Sequence, residues 1–145
     1  MELVQTMRNE NLGVPAKLRT YGPLTASVLG AKCHEVNGGG ATVDLSSDTM
    51  DYAKHTTGYY VGGITEAYTF PADSRASAYG HALGFGWKHT DGQGLVGFWN
   101  FGGVIHAEVV EHVENLTEAV DRAHERGEDA IYSLGMQGVL FVDGL

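Results

Sequence analysis

The chain has a single cysteine, Cys33, in 145 residues. No intrachain disulfide can form, and a zinc site built on cysteines is excluded. A lone thiol suits a reducing compartment. Long apolar runs are missing as well. No stretch approaches the roughly 18 residues of a membrane-spanning helix, and no charged start precedes an apolar segment, so neither a membrane span nor a signal peptide is expected. Basic charge is scarce, with nine Lys and Arg against eighteen Asp and Glu for a net charge of −9. The imbalance is uneven. Residues 1–34 carry Arg8, Lys17, Arg19 and Lys32 against Glu2 and Glu10, while residues 35–145 carry five basic and sixteen acidic side chains. An acidic body argues against direct binding to nucleic-acid phosphates. It suits a solubilising surface or, less simply, a phosphate mimic facing a basic protein.

Proline is rare, at 3 residues, and glycine abundant, at 21. That contrast favours tight turns, bulges and a strand-rich fold. A hydrophobic content of 43% argues against global disorder.

The clearest local signal is NLTEAVDRAHERGEDAIYSL, residues 115–134. Asn115 suits a helix N-cap, with Glu118 three residues on, where it can reach back to the cap amide. Leu116, Ala119, Val120 and Ala123 share one helical face. Arg126 suits the negative end of the helix dipole, and Gly127 supplies the left-handed stop. Residues 130–134 then read as a short apolar strand.

The rest of the chain fits around this unit. Residues 1–40 read as an N-terminal extension or arm, with a short helix over 2–9 and strands over 17–20 and 25–29 about a Gly22–Pro23 turn. Residues 41–145 form the main domain. Strands are expected over 41–45, 57–64 and 139–142. A hairpin is expected from strands 95–99 and 104–109 joined by 100–103. Gly62–Gly63 suggests a bulge or a close backbone approach. A small-residue helix over 74–83 carries Ala78, Ala82 and Leu83 on its apolar face, with Tyr79 at the margin. The fold class is α+β: an antiparallel sheet with two helices packed on one face and glycine-rich loops.

No residue pattern assigns a chemistry. Gly92, Gly94 and Gly97 match GxGxxG but lead into a strand-like Phe98–Trp99, whereas a dinucleotide site must open a helix. His106 and Glu108 match the HxE of zinc deaminases without the downstream cysteine pair. Alternation places Val104, His106 and Glu108 on one strand face and Ile105, Ala107 and Val109 on the other. With Glu111 and His112 they offer nitrogen and oxygen ligands at undiagnostic spacing, so no metal and no cofactor are expected. Cys33–His34 reads better as a buried cysteine than as a nucleophile and base. No GxSxG elbow and no phosphate loop occurs. Aromatic residues set among glycines suit recognition surfaces. The candidate ligand- or partner-binding residues are therefore Tyr59, Tyr60, Trp87, Trp99, His106 and Glu108, with no catalytic residue named.

Three segments in order, GGGATVDL at 38–45, TTGYYVGG at 56–63, and residues 97–133 with VIHAEVVEHV and TEAVDRAHERGEDAIYS, resemble small uncharacterised accessory proteins of tailed phages that infect actinobacteria. The likeness covers about the last two thirds of the chain. Its motifs are structural, and residues 1–37 and 80–94 fall outside it. It implies a phage-encoded protein in the host cytoplasm and brings no catalytic residues. The expected function is non-enzymatic binding of a host or defence component. The alternatives are an oligomer that sequesters a small molecule or nucleotide, a small metal-dependent hydrolase using His106, Glu108 and His112, and a virion part. Self-association is expected, most simply as a symmetric dimer through the N-terminal segment, whose charge is opposite to that of the body.

Overall fold

The computed structural model describes residues 15–34 and 39–145, which form three helices and a seven-stranded antiparallel sheet. The elements run α1 (Ala16–Cys33), β1 (Gly40–Asp44), β2 (Tyr59–Val61), β3 (Tyr68–Pro71), α2 (Ala76–Thr90), β4 (Leu95–Phe101), β5 (Val104–Val113), α3 (Leu116–Glu125), β6 (Ala130–Ser133) and β7 (Gly138–Phe141). The α+β class and the antiparallel sheet are as the sequence indicates, with a third helix in addition. Among the described residues no helix is long and apolar enough to cross a membrane.

The sheet order is β1-β4-β5-β2-β6-β7, with β3 also on β5. The long β5 is the spine. On one edge Val104 to Val110 pair with β4; on the other, Val104 to Ala107 pair with β3 and its last three residues pair with β2. Gly102 and Gly103 turn β4 into β5 with φ of 62° and 86°, the positive pair that a two-residue hairpin turn demands.

Directly paired residues point to the same face, so register assigns every side chain. Ile105 and Ala107 of β5, Val96 and Phe98 of β4 and Val43 of β1 face α1 and α2, where they join Ala26, Leu29, Cys33, Tyr79, Ala82 and Leu83 in one core. Val113, Val61 and Ile131 face α3 and form a second core with Ala119, Val120 and Ala123. The helices thus cover one face of the sheet and leave the other open.

The strongest local signal forms as expected except at Leu116, which opens the helix 41% exposed rather than on the buried face. Asn115 Oδ1 accepts from the Glu118 amide at 3.0 Å, and Ala119, Val120 and Ala123 are buried. The Glu118 carboxylate pairs with Arg122 instead of turning back to the cap.

The N-terminal part differs from expectation. Residues 17–20 and 25–29 are not strands about a turn. They lie in the continuous helix α1, with Pro23 inside it. Gly22, Ala26, Leu29 and Cys33 form its buried stripe, spaced by four, three and four residues. Packing of that stripe on β1 and α2 outweighs the roughly 3 kcal/mol that an internal proline costs a helix. From Ala16 onward this segment is therefore part of the domain's core rather than an appendage to it. Buried Asn100 ties it further, donating to the Cys33 carbonyl at 2.6 Å and accepting from the Gly103 amide. The helix expected over residues 2–9 lies outside the described residues. The small-residue helix is also longer than its apolar face suggests. It is α2, which runs on to Thr90 and buries Tyr79 completely.

Candidate functional site: an acidic, aromatic groove on the open sheet face

The uncovered face holds a groove of about 500 Å³. Its lining comes from both ends of the sheet, Thr42 of β1 at one side and Tyr132 and Val139 of β6 and β7 at the other, so the sheet curls around it. The volume lies within the range of small-molecule sites.

Register explains which side chains meet there. Trp99 pairs with His106 and Gly97 with Glu108 across β4 and β5. Thr42 pairs with Gly97, Tyr60 with Tyr132, and Tyr132 with Val139. All are on the helix-free face. Gly97 adds no side chain, so the floor between Thr42 and Glu108 stays low. Trp99 and Tyr132 are each 39% exposed and present ring surface to solvent. The Tyr60 and Tyr132 rings are nearly parallel, with centroids 6.2 Å apart. At the β1 end, Lys32 and Tyr52 join the lining, with the Lys32 ammonium 4.7 Å from the Tyr52 ring. The Tyr52 hydroxyl is buried and makes no hydrogen bond among the described residues.

Tyr60 is braced from behind. Its hydroxyl contacts His55 Nδ1 at 3.0 Å, and the His55 and His112 rings stack at 3.8 Å. His112 Nε2 donates to the Thr57 carbonyl at 2.7 Å.

Glu108 stands on the floor. Burial, and next the negative charge of Glu128, push its carboxyl up to about 7, while a hydrogen bond from the Gly63 amide acts in the opposite direction. Both carboxylates close on Gly62. A methyl group there would overlap the Glu108 carboxylate and come within 2.8 Å of Glu128 Oε1. Glycine at 62 therefore makes room for this pair, a close approach rather than a bulge, and Gly63 takes φ 80° in the connection that leaves β2. Burial also raises Glu128, and adjacent Asp129 adds to the effect. Arg126 acts on Glu128 in the opposite direction, but its hydrogen bonds go elsewhere. Glu111, on the helix-covered face, accepts from Arg122 at 2.7 Å and Arg126 at 2.5 Å, and Arg126 also donates to the Gly62 carbonyl. These arginines hold the Glu111 carboxyl below the usual carboxylate range despite its partial burial.

No family model, curated protein or solved structure matches this chain.

Of the candidates named from sequence, Tyr60, Trp99, His106 and Glu108 line this one groove. Tyr59 and Trp87 do not join them. Tyr59 points the opposite way from Tyr60 and packs on the α3-side core. Trp87 lies on α2 against the main core, with Lys17 Nζ 5.4 Å from its ring. The set His106, Glu108, Glu111 and His112 does not converge, because Glu111 faces α3 and His112 is engaged with Thr57 and His55. Among the described residues no group of three or more His, Cys, Asp or Glu side chains is placed to hold a metal ion. Burial pushes the Cys33 thiol up to about 11, against a smaller opposing effect of Lys32, which suits a structural cysteine.

Tyr132, Thr42 and Glu128 were missed from sequence. Alternation with buried Ile131 marks Tyr132 as facing away from the core. Glu128 has no local signal, because it reaches Glu108 only through the fold.

Proposed function

We propose that this protein is a non-catalytic binding protein whose open sheet face holds a small molecule. The observation that carries the reading is the groove itself: a curled sheet with ring surfaces on its walls and one carboxyl on its floor, a few polar groups set in a largely apolar surface. The sequestration reading narrows accordingly. Among the described residues Lys32 is the only lysine or arginine in the lining, and the Glu108 carboxylate at the floor disfavours a phosphate-bearing nucleotide.

The test is a fragment screen by two-dimensional amide NMR. The reading expects compounds that shift Gly97, Trp99, His106 and Tyr132 together. A screen in which no fragment moves this set would refute it.

A second reading, docking on a host or defence protein as expected of a phage accessory protein, is favoured by a different feature. The tip of the β4–β5 hairpin exposes Phe101 at 62% and Val104 at 41%. Phe101→Ser would then abolish capture of a host protein, while Glu108→Gln would leave it intact.

A further inference from the structure

We propose that the groove selects a planar organic cation, an aromatic ring bearing an amidinium or protonated amino group, seated with its ring against Trp99 and Tyr132 and its charged N–H edge on Glu108. The inference rests on the small-molecule reading above and adds the ligand's chemical class.

Three features of the site point to this class. The first is charge. Among the described residues no lysine or arginine shifts Glu108, and the charged neighbour that does is a second carboxylate, Glu128. With Arg122 and Arg126 hydrogen-bonded to Glu111 and Lys32 set over the Tyr52 ring at the β1 end, no cation is paired with Glu108 among the described residues, and neighbouring Glu128 adds negative charge beside it. Such a site attracts a cation and repels an anion.

The second is shape. The low floor at Gly97 and the ring surfaces of Trp99, Tyr60 and Tyr132 suit a flat body, and aromatic faces attract cationic rings as well as stacking on them. The third is donor and acceptor matching. The Gly63 amide already donates to Glu108, so the remaining acceptor positions of the carboxylate need donors from a ligand, and an amidinium supplies two in one plane. The His106 ring, on the same face two residues away and beside Trp99, adds a further polar group at the rim.

The protonation of Glu108 gives the interaction a direction in pH. A cation pairs with the ionised carboxylate, so binding strengthens as pH rises through about 7.

Three probes of similar size separate the possibilities: benzamidine, benzyl alcohol and benzoate. Each is titrated into the full chain at about pH 8, read by amide shifts of Gly97 and Tyr132 and by the Trp99 indole N–H, assigned with Trp99→Phe. Benzamidine is expected to bind about tenfold or more tighter than benzyl alcohol, and benzoate weakest. Glu108→Gln, a neutral isostere, should cut the preference for benzamidine to about twofold or less and remove its pH dependence. Glu128→Gln, which retains the primary carboxylate, should reduce the preference by a smaller factor. Groove shifts of equal strength with benzyl alcohol or benzoate would overturn the choice of cation while leaving a small-molecule site. A groove that none of the probes and no fragment perturbs would overturn the site itself.

Discussion

The carboxyl on the groove floor should make this protein less stable as the solution becomes more alkaline, and Glu108→Gln should remove that loss. Glu108 holds its proton to about 7 in the folded chain, against 4.5 for an ordinary glutamate. Between those values the folded state keeps a proton that the unfolded state has released. Stability therefore falls as pH rises from about 4.5 and levels off above about 7. The full difference corresponds to about 3 kcal/mol at 1.36 kcal/mol per pH unit. The partial exposure of the side chain reduces this to about 1–2 kcal/mol. Glutamine resembles the protonated acid, so the variant should match the parent near pH 5 and exceed it by about 1–2 kcal/mol near pH 8. Urea unfolding at pH 5, 6, 7 and 8 measures the difference directly. Glu128 contributes in the same direction, because its carboxyl is also raised. The double variant with Glu128→Gln should flatten the profile further. An equal gap between parent and Glu108→Gln at pH 5 and pH 8 would refute the reasoning. A stabilising substitution at a groove residue is what a binding site is expected to permit, since sites keep charges that the fold alone would discard.

Other outcomes follow from the same geometry. Asn115→Ala should lower stability by about 1 kcal/mol in thermal melts, through loss of the 3.0 Å bond to the Glu118 amide. Gly127→Val should cost about 1–2 kcal/mol for its backbone alone, since φ is 70° and nothing lies within 4 Å of an added methyl; Gly127→Asn should cost less. Gly86→Ala should destabilise by about 1–2 kcal/mol, because the added methyl overlaps Val96 Cγ2 and overpacking outweighs the gain in helix propensity. If Val96→Ala, which removes that methyl, fails to relieve the penalty in a double-mutant cycle, the clash is not its cause.

Local structure was legible wherever the deciding physics was local. The cap at Asn115, the stop at Gly127 and the small apolar face of α3 lie within a dozen residues, and the fold honours each one. The β4–β5 hairpin was equally legible, because a Gly–Gly turn and strict alternation need no distant partner. Alternation also put His106 and Glu108 on a common face. The α1 segment shows where such reading fails. Gly22–Pro23 is a strong turn signal on its own, and only the packing of Ala26, Leu29 and Cys33 under β1 and against α2 makes a helix the lower-energy choice. Likewise, the helix expected to end at residue 83 runs on through Gly84 and Gly86, because glycine at 86 lets α2 approach Val96 of β4 closely.

The sequence by itself determined the α+β class, the antiparallel sheet, the acidic balance and the capped helix, since composition, periodicity and capping act over short stretches of chain. Tertiary structure alone decided what the face of β5 confronts. The curl of the sheet brings Thr42, Trp99, Glu108 and Tyr132 around one groove, the absence of a side chain at Gly62 lets Glu128 stand beside Glu108, and the arginines nearby direct their ion pairs to Glu111 on the far side. No periodicity carries that information, because the meeting residues are tens of positions apart and their approach depends on how the strands twist and pair.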